Sequence, residues 1–338
     1  MFALVILRKP LVIFRRPLVI ISLLILAVVG REEANAQQTQ TQGFIRYDRF
    51  ESERSDKLTG GHIERAEFEA GRPDIKLTLN VPSFRLTLWQ DGREVKSYNV
   101  GVGMKDYPIY IGEREATEVI WNPPWIPPAS DWVSSHKGVT PGEVIKASDP
   151  RNPLGKVKIP LGDGYLIHQA KGVSDLGNLV SHGCVRMLRS DLYDLAEKIV
   201  AARSLPVTRK QIALAKAGTK TLVAALDEPL GFDINYDTLV VEGSVLYIYP
   251  DVYDRQTNTI ARLRDELRSS GVDDAALDEA TLEKMLSSVT RRTKYVVRVE
   301  SIEQGRALAD GHAEPLLQGS PKQTRPTSRK RTVASNGR

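Results

Sequence analysis

The 338-residue chain has one cysteine, Cys184, and five histidines. With one cysteine no internal disulfide can form, so an exported fold of this sequence is not stapled. No second His/Cys cluster stands beside it, because His62, His136 and His312 are scattered along the chain. The body also lacks a strong excess of one charge. Residues 1–36 carry net +3 and residues 317–338 net +6, which leaves 37–316 at −4. A basic nucleic-acid-binding face is therefore not expected, and no nucleic-acid partner is assigned. A long apolar run is missing too. The run from Leu18 to Val29 is 12 residues, short of the roughly 20 that an isolated helix needs to cross a bilayer.

What is present starts with the N-terminus. Arg8, Lys9, Arg15 and Arg16 precede that apolar run, and Ala34-Asn35-Ala36 follows it with small-x-small spacing. This reads as a signal peptide over 1–36, placing the body in the periplasm. An uncleaved signal would be the only membrane contact. In an exported chain a lone free thiol calls for an account. Its ordinary reading is a small buried apolar side chain, which only the local sequence can displace.

Residues 37–74 are polar and irregular and read as a linker. From Ile75 the apolar residues alternate through Leu77, Leu79 and Val81, then Phe84, Leu86 and Leu88, and the turn pair Asp91-Gly92 follows. That is a β-meander. The stretch 121–128, WNPPWIPP, excludes helix and central strand and predicts a rigid aromatic loop, either plain surface or a groove wall. Short strands are expected at Val157–Ile159 and Tyr165–His168. A helix is expected from Ser190, as N-cap, to Arg203, and another over Arg209–Ala217. Strands are read at Thr221–Ala225, Thr238–Val241, Val245–Tyr249 and Tyr295–Val299, with amphipathic helices around Ile260–Leu267 and Leu277–Leu286. The tail over 304–338 is basic and reads as disordered.

The chemistry concentrates between Gly164 and Met187, GYLIHQAKGVSDLGNLVSHGCVRM. His168 ends an apolar strand, and Ser181-His182-Gly183-Cys184 follows a glycine-containing loop. A nucleophilic thiol needs a proton carrier near neutral pH, and imidazole supplies it, from His168 or His182. Gly183 lets a substrate approach the backbone, so the Gly183 and Cys184 amides are candidate oxyanion donors. Two other readings stay open on the residues alone. His168 can be an ordinary core histidine, or His168, His182 and Cys184 can ligate zinc.

With His168, Gly177, Ser181, His182, Gly183, Cys184, Val185 and Arg186 in this order, the chain resembles the L,D-transpeptidase catalytic domain of the YkuD type. The likeness runs from about Ile75 to Glu228 and takes in Asn122-Pro123-Pro124-Trp125 and Asn152-Pro153-Leu154-Gly155. It departs at Gln169-Ala170, where many members have Gly-Thr, and at Pro108–Gly112. The resemblance implies a mainly β fold, a β-sandwich or partial barrel with one or two packed helices, with the helix-bearing C-terminal extension appended. It implies limits of 75–228 for the catalytic domain, and the strand-then-helix pattern beyond it reads as an extension over 229–303. It implies Cys184 as nucleophile and His168 as proton donor and acceptor, held by the Gln169 carbonyl. Gly183 and Cys184 would supply the oxyanion hole, Ser181 and His182 would line the site, and Arg186 would brace the loop or meet a carboxylate. Peptidoglycan peptide stems are the implied partner, with a lipoprotein as a further acceptor, and neither metal nor cofactor is required. The implied reaction is transpeptidation through a Cys184 thioester. Hydrolysis by the same route is the alternative within the class, and a non-catalytic wall-binding module the alternative outside it.

Overall fold

Every second side chain of Ile75–Asn80 is buried, and this alternation is what builds the first strand of a sheet covered on one face. The computed structural model describes residues 73–134, 138–203 and 207–317. The expected signal peptide, nearly all of the 37–74 linker and the tail beyond 317 lie outside the described residues. Strand β1 (Ile75–Asn80) pairs antiparallel with β2 (Arg85–Gln90), and β2 with β3 (Arg93–Asn99). The β2–β3 hairpin turns on Asp91 and Gly92, with φ of 51° and 72°. Two successive left-handed residues match the right-handed strand twist, as the Asp-Gly pair predicts.

After the two-residue β4 (Val102–Gly103) comes β5 (Gly112–Trp121), which sequence reasoning missed. Glu113, Thr117 and the other polar residues of β5 alternate with only a few apolar ones, so the strand carries no apolar run until Val119. It is nevertheless central. The short helix α1 (Asp131–Ser134) follows, then β6 (Val157–Pro160), β7 (Leu166–Gln169), β8 (Leu179–Ser181) and β9 (Val185–Met187). Helix α2 (Arg189–Ala202) packs Leu192, Leu195, Ala196, Ile199 and Val200 inward. It starts one residue before the expected N-cap. Leu188 occupies the cap position without a side-chain hydrogen bond, and Ser190 lies inside the first turn. Helix α3 (Arg209–Ala217) has the expected limits and is closed by a capping box of Thr208 and Gln211.

Strand β10 (Leu222–Asn235) corrects the expected stop at Glu228-Pro229. It runs straight through, and Pro229 is tolerated because the register against β5 shifts between Ala225 and Leu230. A bulge is where a strand can hold a proline that has no ladder donor. The eight strands are ordered β3-β2-β1-β10-β5-β6-β7-β9. The residues after β3 then meet β9 through an antiparallel bridge, Gly101 to Arg186, so the two edges of the sheet nearly close. The fold is mainly β and barrel-like, as expected. Trp121, Phe84, Phe232, Leu77 and Ile167 are among the fully buried side chains of its core.

The extension is a second sheet with its own core. Strands β11 (Leu239–Glu242), β12 (Val245–Ile248), β13 (Thr293–Arg298) and β14 (His312–Pro315) form an antiparallel sheet in that order. Helices α4 (Ile260–Ser269) and α5 (Glu279–Ser287) cover it, with the short α6 (Val299–Glu303) and α7 (Ala307–Asp310). Leu246, Ile248, Leu263, Leu267, Leu282 and Met285 are fully buried there. The boundary expected at 304 falls inside this unit, since β14 pairs with β13 and Leu316 is buried in the larger core.

Candidate active site

The register of β7 against β9 places the predicted site residues. His168 lies beside Arg186 and Ile167 beside Val185, so Cys184, just before β9, falls level with Leu166. Parallel neighbours are about 4.8 Å apart, and alternate residues share a face. Val185, Met187 and Ile167 enter the core, which turns Cys184, Arg186, Leu166 and His168 to the opposite face. The Cys184 side chain accordingly meets the Leu166 backbone and the Arg186 charge.

The loop that presents Cys184 is closed by Ser181. Its buried hydroxyl donates to the Cys184 carbonyl at 2.6 Å, tying the ends of the turn together. Gly183 between them has φ of 102°, a conformation that side chains rarely adopt. A Cβ there would also stand 2.9 Å from the Tyr165 ring, so glycine is required on both counts. Among the described residues, neither the Gly183 nor the Cys184 amide donates to another backbone carbonyl.

Burial sets the resting protonation. His168 is 3% exposed. Desolvation, followed by the Arg186 charge, pushes its pKa down to about 3, while the Leu154 and Gln169 backbones favour the proton. Nδ1 is buried without a well-aligned hydrogen-bond partner. The half-buried Cys184 thiol is pushed up by desolvation, opposed by the Leu166 backbone and by Arg186. At neutral pH the pair therefore rests as thiol and neutral imidazole. The Arg186 guanidinium lies near Cys184 and Asp175, with Nε and Nη1 buried and unbonded. It favours thiolate over thiol and neutral imidazole over imidazolium. The first preference eases loss of the thiol proton, whereas the second keeps the imidazole unprotonated at rest and opposes its uptake of that proton. The Arg186 backbone forms an antiparallel bridge with Gly101.

Gln169 turns its side chain away from this face. Its Oε1 accepts from the Lys156 amide at 3.1 Å, and the chain packs over Gly155. His182 is gripped by aromatics. Trp132 stacks on it at 4.3 Å and 9°, and Tyr107 meets it edge-on at 4.7 Å. Trp125 in turn stacks on Trp132 at 6.4 Å. The WNPPWIPP loop is thus part of the site's wall, packed by Trp125, Ile145 and Leu154 onto Leu166 of the His168 strand. Asn122 fixes its start by donating to the Ala215 and Lys220 carbonyls. Asn152 fixes its end by donating to Pro123, Ile145 and Lys146. Sequence reasoning missed Tyr107 and Trp132. Trp132 had a signal in its closeness to the Pro/Trp run, whereas Tyr107 had none. The three side chains considered as a zinc set do not converge: among the described residues no group of three or more His, Cys, Asp or Glu is placed to hold a metal ion.

Comparison with known proteins finds similarity over the stretch of chain that carries these residues. Residues 74–223 match the family model of the YkuD L,D-transpeptidase catalytic domain. The Probable L,D-transpeptidase YbiS of Escherichia coli K12 is 29% identical over 126 residues, 36% of this chain and 41% of that protein. The chain thus spans about two fifths of the length of that relative. Among solved structures, an L,D-transpeptidase from Mycobacterium smegmatis aligns at 12% identity with a TM-score of 0.31, over 48% of this chain and 59% of that one. An L,D-transpeptidase from Stackebrandtia nassauensis aligns at 14% identity with a TM-score of 0.28, over 48% and 56%. The order His168, Gly177, Ser181-His182-Gly183-Cys184 and the matched segment meet in one stretch of chain, residues 74–223, which is similar to the YkuD L,D-transpeptidase catalytic domain.

Proposed function

We propose that this protein is a cysteine-dependent L,D-transpeptidase of the bacterial cell wall, with Cys184 as nucleophile and His168 as proton carrier. The observation that carries the reading is the shared face of β7 and β9. On it a thiol and a neutral imidazole flank the Arg186 charge. The donor is a peptidoglycan tetrapeptide stem, cut between the L-centre of its third residue and the terminal D-alanine. Sγ attacks that carbonyl and His168 takes the thiol proton. The oxyanion is met by the Gly183 and Cys184 amides, neither of which donates to a backbone carbonyl among the described residues. Collapse breaks the C–N bond, and D-alanine leaves with the proton from His168. A thioester remains on Cys184. An amine then attacks it, gives its proton to His168, and the thiol is restored as the product leaves. A second stem as acceptor gives a cross-link, and a lipoprotein lysine gives an anchored lipoprotein. Ser181 holds the turn, His182 and the aromatic wall border the acyl site, and Arg186 tunes both reacting groups.

The basic, apolar and small-x-small sequence of residues 1–36 supports export, so the reaction is assigned to the periplasm. Among the described residues no helix is long and apolar enough to cross a membrane.

Purified protein incubated with a defined disaccharide-tetrapeptide should release D-alanine, read by mass spectrometry. With an amine acceptor present the joined product should appear; with water alone the tripeptide. Cys184→Ala and His168→Ala should each lower turnover by at least roughly a thousandfold. Release at the unmodified rate by either variant would overturn the reading.

A further inference from the structure

The turn Ser181–Cys184 is held from outside by a second loop, residues 103–109. The Met104 amide donates to the Ser181 carbonyl at 2.8 Å, and Tyr107 of this loop meets His182. Gly103 approaches so closely that a Cβ there would stand 3.0 Å from the Gly183 Cα and 2.2 Å from the Tyr107 carbonyl oxygen. Any shift of this loop is therefore felt directly by the turn that presents the nucleophile.

One side chain clamps both ends of the loop, and it comes from beyond the segment that matches the family model. The Tyr253 hydroxyl donates to the Gly103 carbonyl at 2.9 Å and accepts from the Ile109 amide at 3.3 Å. Lys105 of the same loop pairs with Asp254. Tyr253 is itself fixed. Its amide donates to the Tyr236 hydroxyl at 2.7 Å, and that hydroxyl donates to Asp251 Oδ1 at 2.6 Å. The Asp251 carboxylate also accepts from the Arg255 and Thr257 amides. The two tyrosine rings stack at 5.6 Å, with the Arg255 guanidinium over both. Asp254 and Gln256 adopt φ of 56° and 57°, which non-glycine residues hold only where their surroundings dictate it.

We propose that Tyr253 is a positioning residue for catalysis, resting on the reading of Cys184 as nucleophile. Its hydroxyl sets the separation of Gly103 and Ile109, the loop they bound presses on Gly183, and Gly183 aims the two amides that meet the oxyanion. The catalytic domain thus draws part of its preorganisation from the extension. Loss of the clamp loosens groups that matter most in the transition state, so turnover falls while substrate affinity is largely kept.

The test is Tyr253→Phe in the full chain, which keeps the ring stack and removes both hydrogen bonds. Expected is a kcat roughly tenfold lower with KM within about twofold. The pH profile of iodoacetamide alkylation should shift as well, read by intact mass because Cys184 is the only cysteine. Asp251→Asn, which loosens the support behind Tyr253, should move both readouts the same way by less, and it decides the matter if Tyr253→Phe does not fold. Leu308→Ala, in the second core, controls for stability and should leave kcat unchanged. Unaltered kcat and alkylation profile in the two clamp variants, or equal loss of kcat in Leu308→Ala at matched stability, would overturn the proposal. Failure of the nucleophile reading shows separately, as turnover that survives Cys184→Ala.

Discussion

His168 illustrates how burial shifts the titration of an ordinary side chain, and its effect on stability can be worked out with sign. In the unfolded chain it binds a proton below about pH 6.5, whereas in the fold it stays neutral down to about 3. Its contribution to stability is therefore fully present above pH 6.5 and is lost as pH falls towards 3, by up to about 1.4 kcal/mol per unit. Asp237 acts in the opposite sense. Desolvation first, then Glu266 and Asp233, raise its carboxyl to about 6. Above that pH the fold holds a carboxylate at a cost that the unfolded chain does not bear, and protonation between pH 6 and 3.8 relieves it. Asp237→Asn should therefore stabilise the protein at pH 7, by about 1–2 kcal/mol after allowing for its partial exposure. It should also steepen the loss of stability in acid, where His168 then acts without the opposing carboxyl. Urea unfolding at pH 7.0, 5.5 and 4.5 measures both, and a less stable Asp237→Asn at pH 7 would contradict the argument. The contiguous Ser-His-Gly-Cys run made Cys184 legible in the sequence. The tuning by Arg186 was not legible, because it depends on which face of β9 is dry, a property of the register rather than of the residue.

At the scale of elements, the site is a strand pair roofed by a loop. The 121–128 loop was legible as rigid from its prolines, with plain surface and groove wall left open; the contact through which it reaches the site was not legible. That contact runs through Trp132, on the one-turn α1, to His182, and neither residue's pattern encodes the pairing. Strand β5 escaped detection for a related reason: its exposed face carries Glu113 and Glu115, and its apolar residues gather at one end. Strand β10 was cut short in the reading because a proline ordinarily ends a strand, and the bulge that accommodates Pro229 is visible only against β5. Where short-range rules suffice, as in the Thr208–Gln211 capping box, the limits of the helix were read correctly. If the wall orients the turn through stacking, Trp132→Ala removes a ring pair worth about 1 kcal/mol beyond its buried area. Stability should fall modestly, and D-alanine release should slow several-fold, whereas Trp132→Phe should keep most of both. Steady-state kinetics beside a thermal melt would check this. A Trp132→Ala enzyme as fast as the unmodified one would leave the loop as packing alone.

The whole molecule raises the question of whether the extension is an appendage. It has a hydrophobic core of its own, around Leu246, Leu263 and Met285, which favours independence. Against that, Tyr249, Val252 and Leu316 are buried in the core of the catalytic body, with Tyr236, Val240, Tyr247, Tyr253 and Leu317 packed on it. Asn80 exchanges two hydrogen bonds with the Asp237 backbone, at 2.9 and 3.0 Å. Leu317 lies against Gly177, in the spacer between His168 and the nucleophile turn. Burying each large apolar side chain stabilises by about 1.5–3 kcal/mol. Three buried ones alone therefore approach the 5–15 kcal/mol that holds a typical domain together. Sequence periodicity located most strands and helices of the extension, yet gave no sign of this return. Leu316 follows the four-residue β14, whose sequence HAEP has no apolar alternation, and its destination is set by pairing with β13. A chain ending at Asn235 keeps every strand of the large sheet together with His168, Cys184 and Arg186, but loses the Tyr253 clamp and the buried Leu316. It should therefore lose the cooperative thermal transition of the full chain, and its Cys184 should alkylate at the rate of a free exposed thiol. A truncated protein that melts cooperatively and releases D-alanine at the full-length rate would make the extension dispensable, and the balance of buried residues argues against that result.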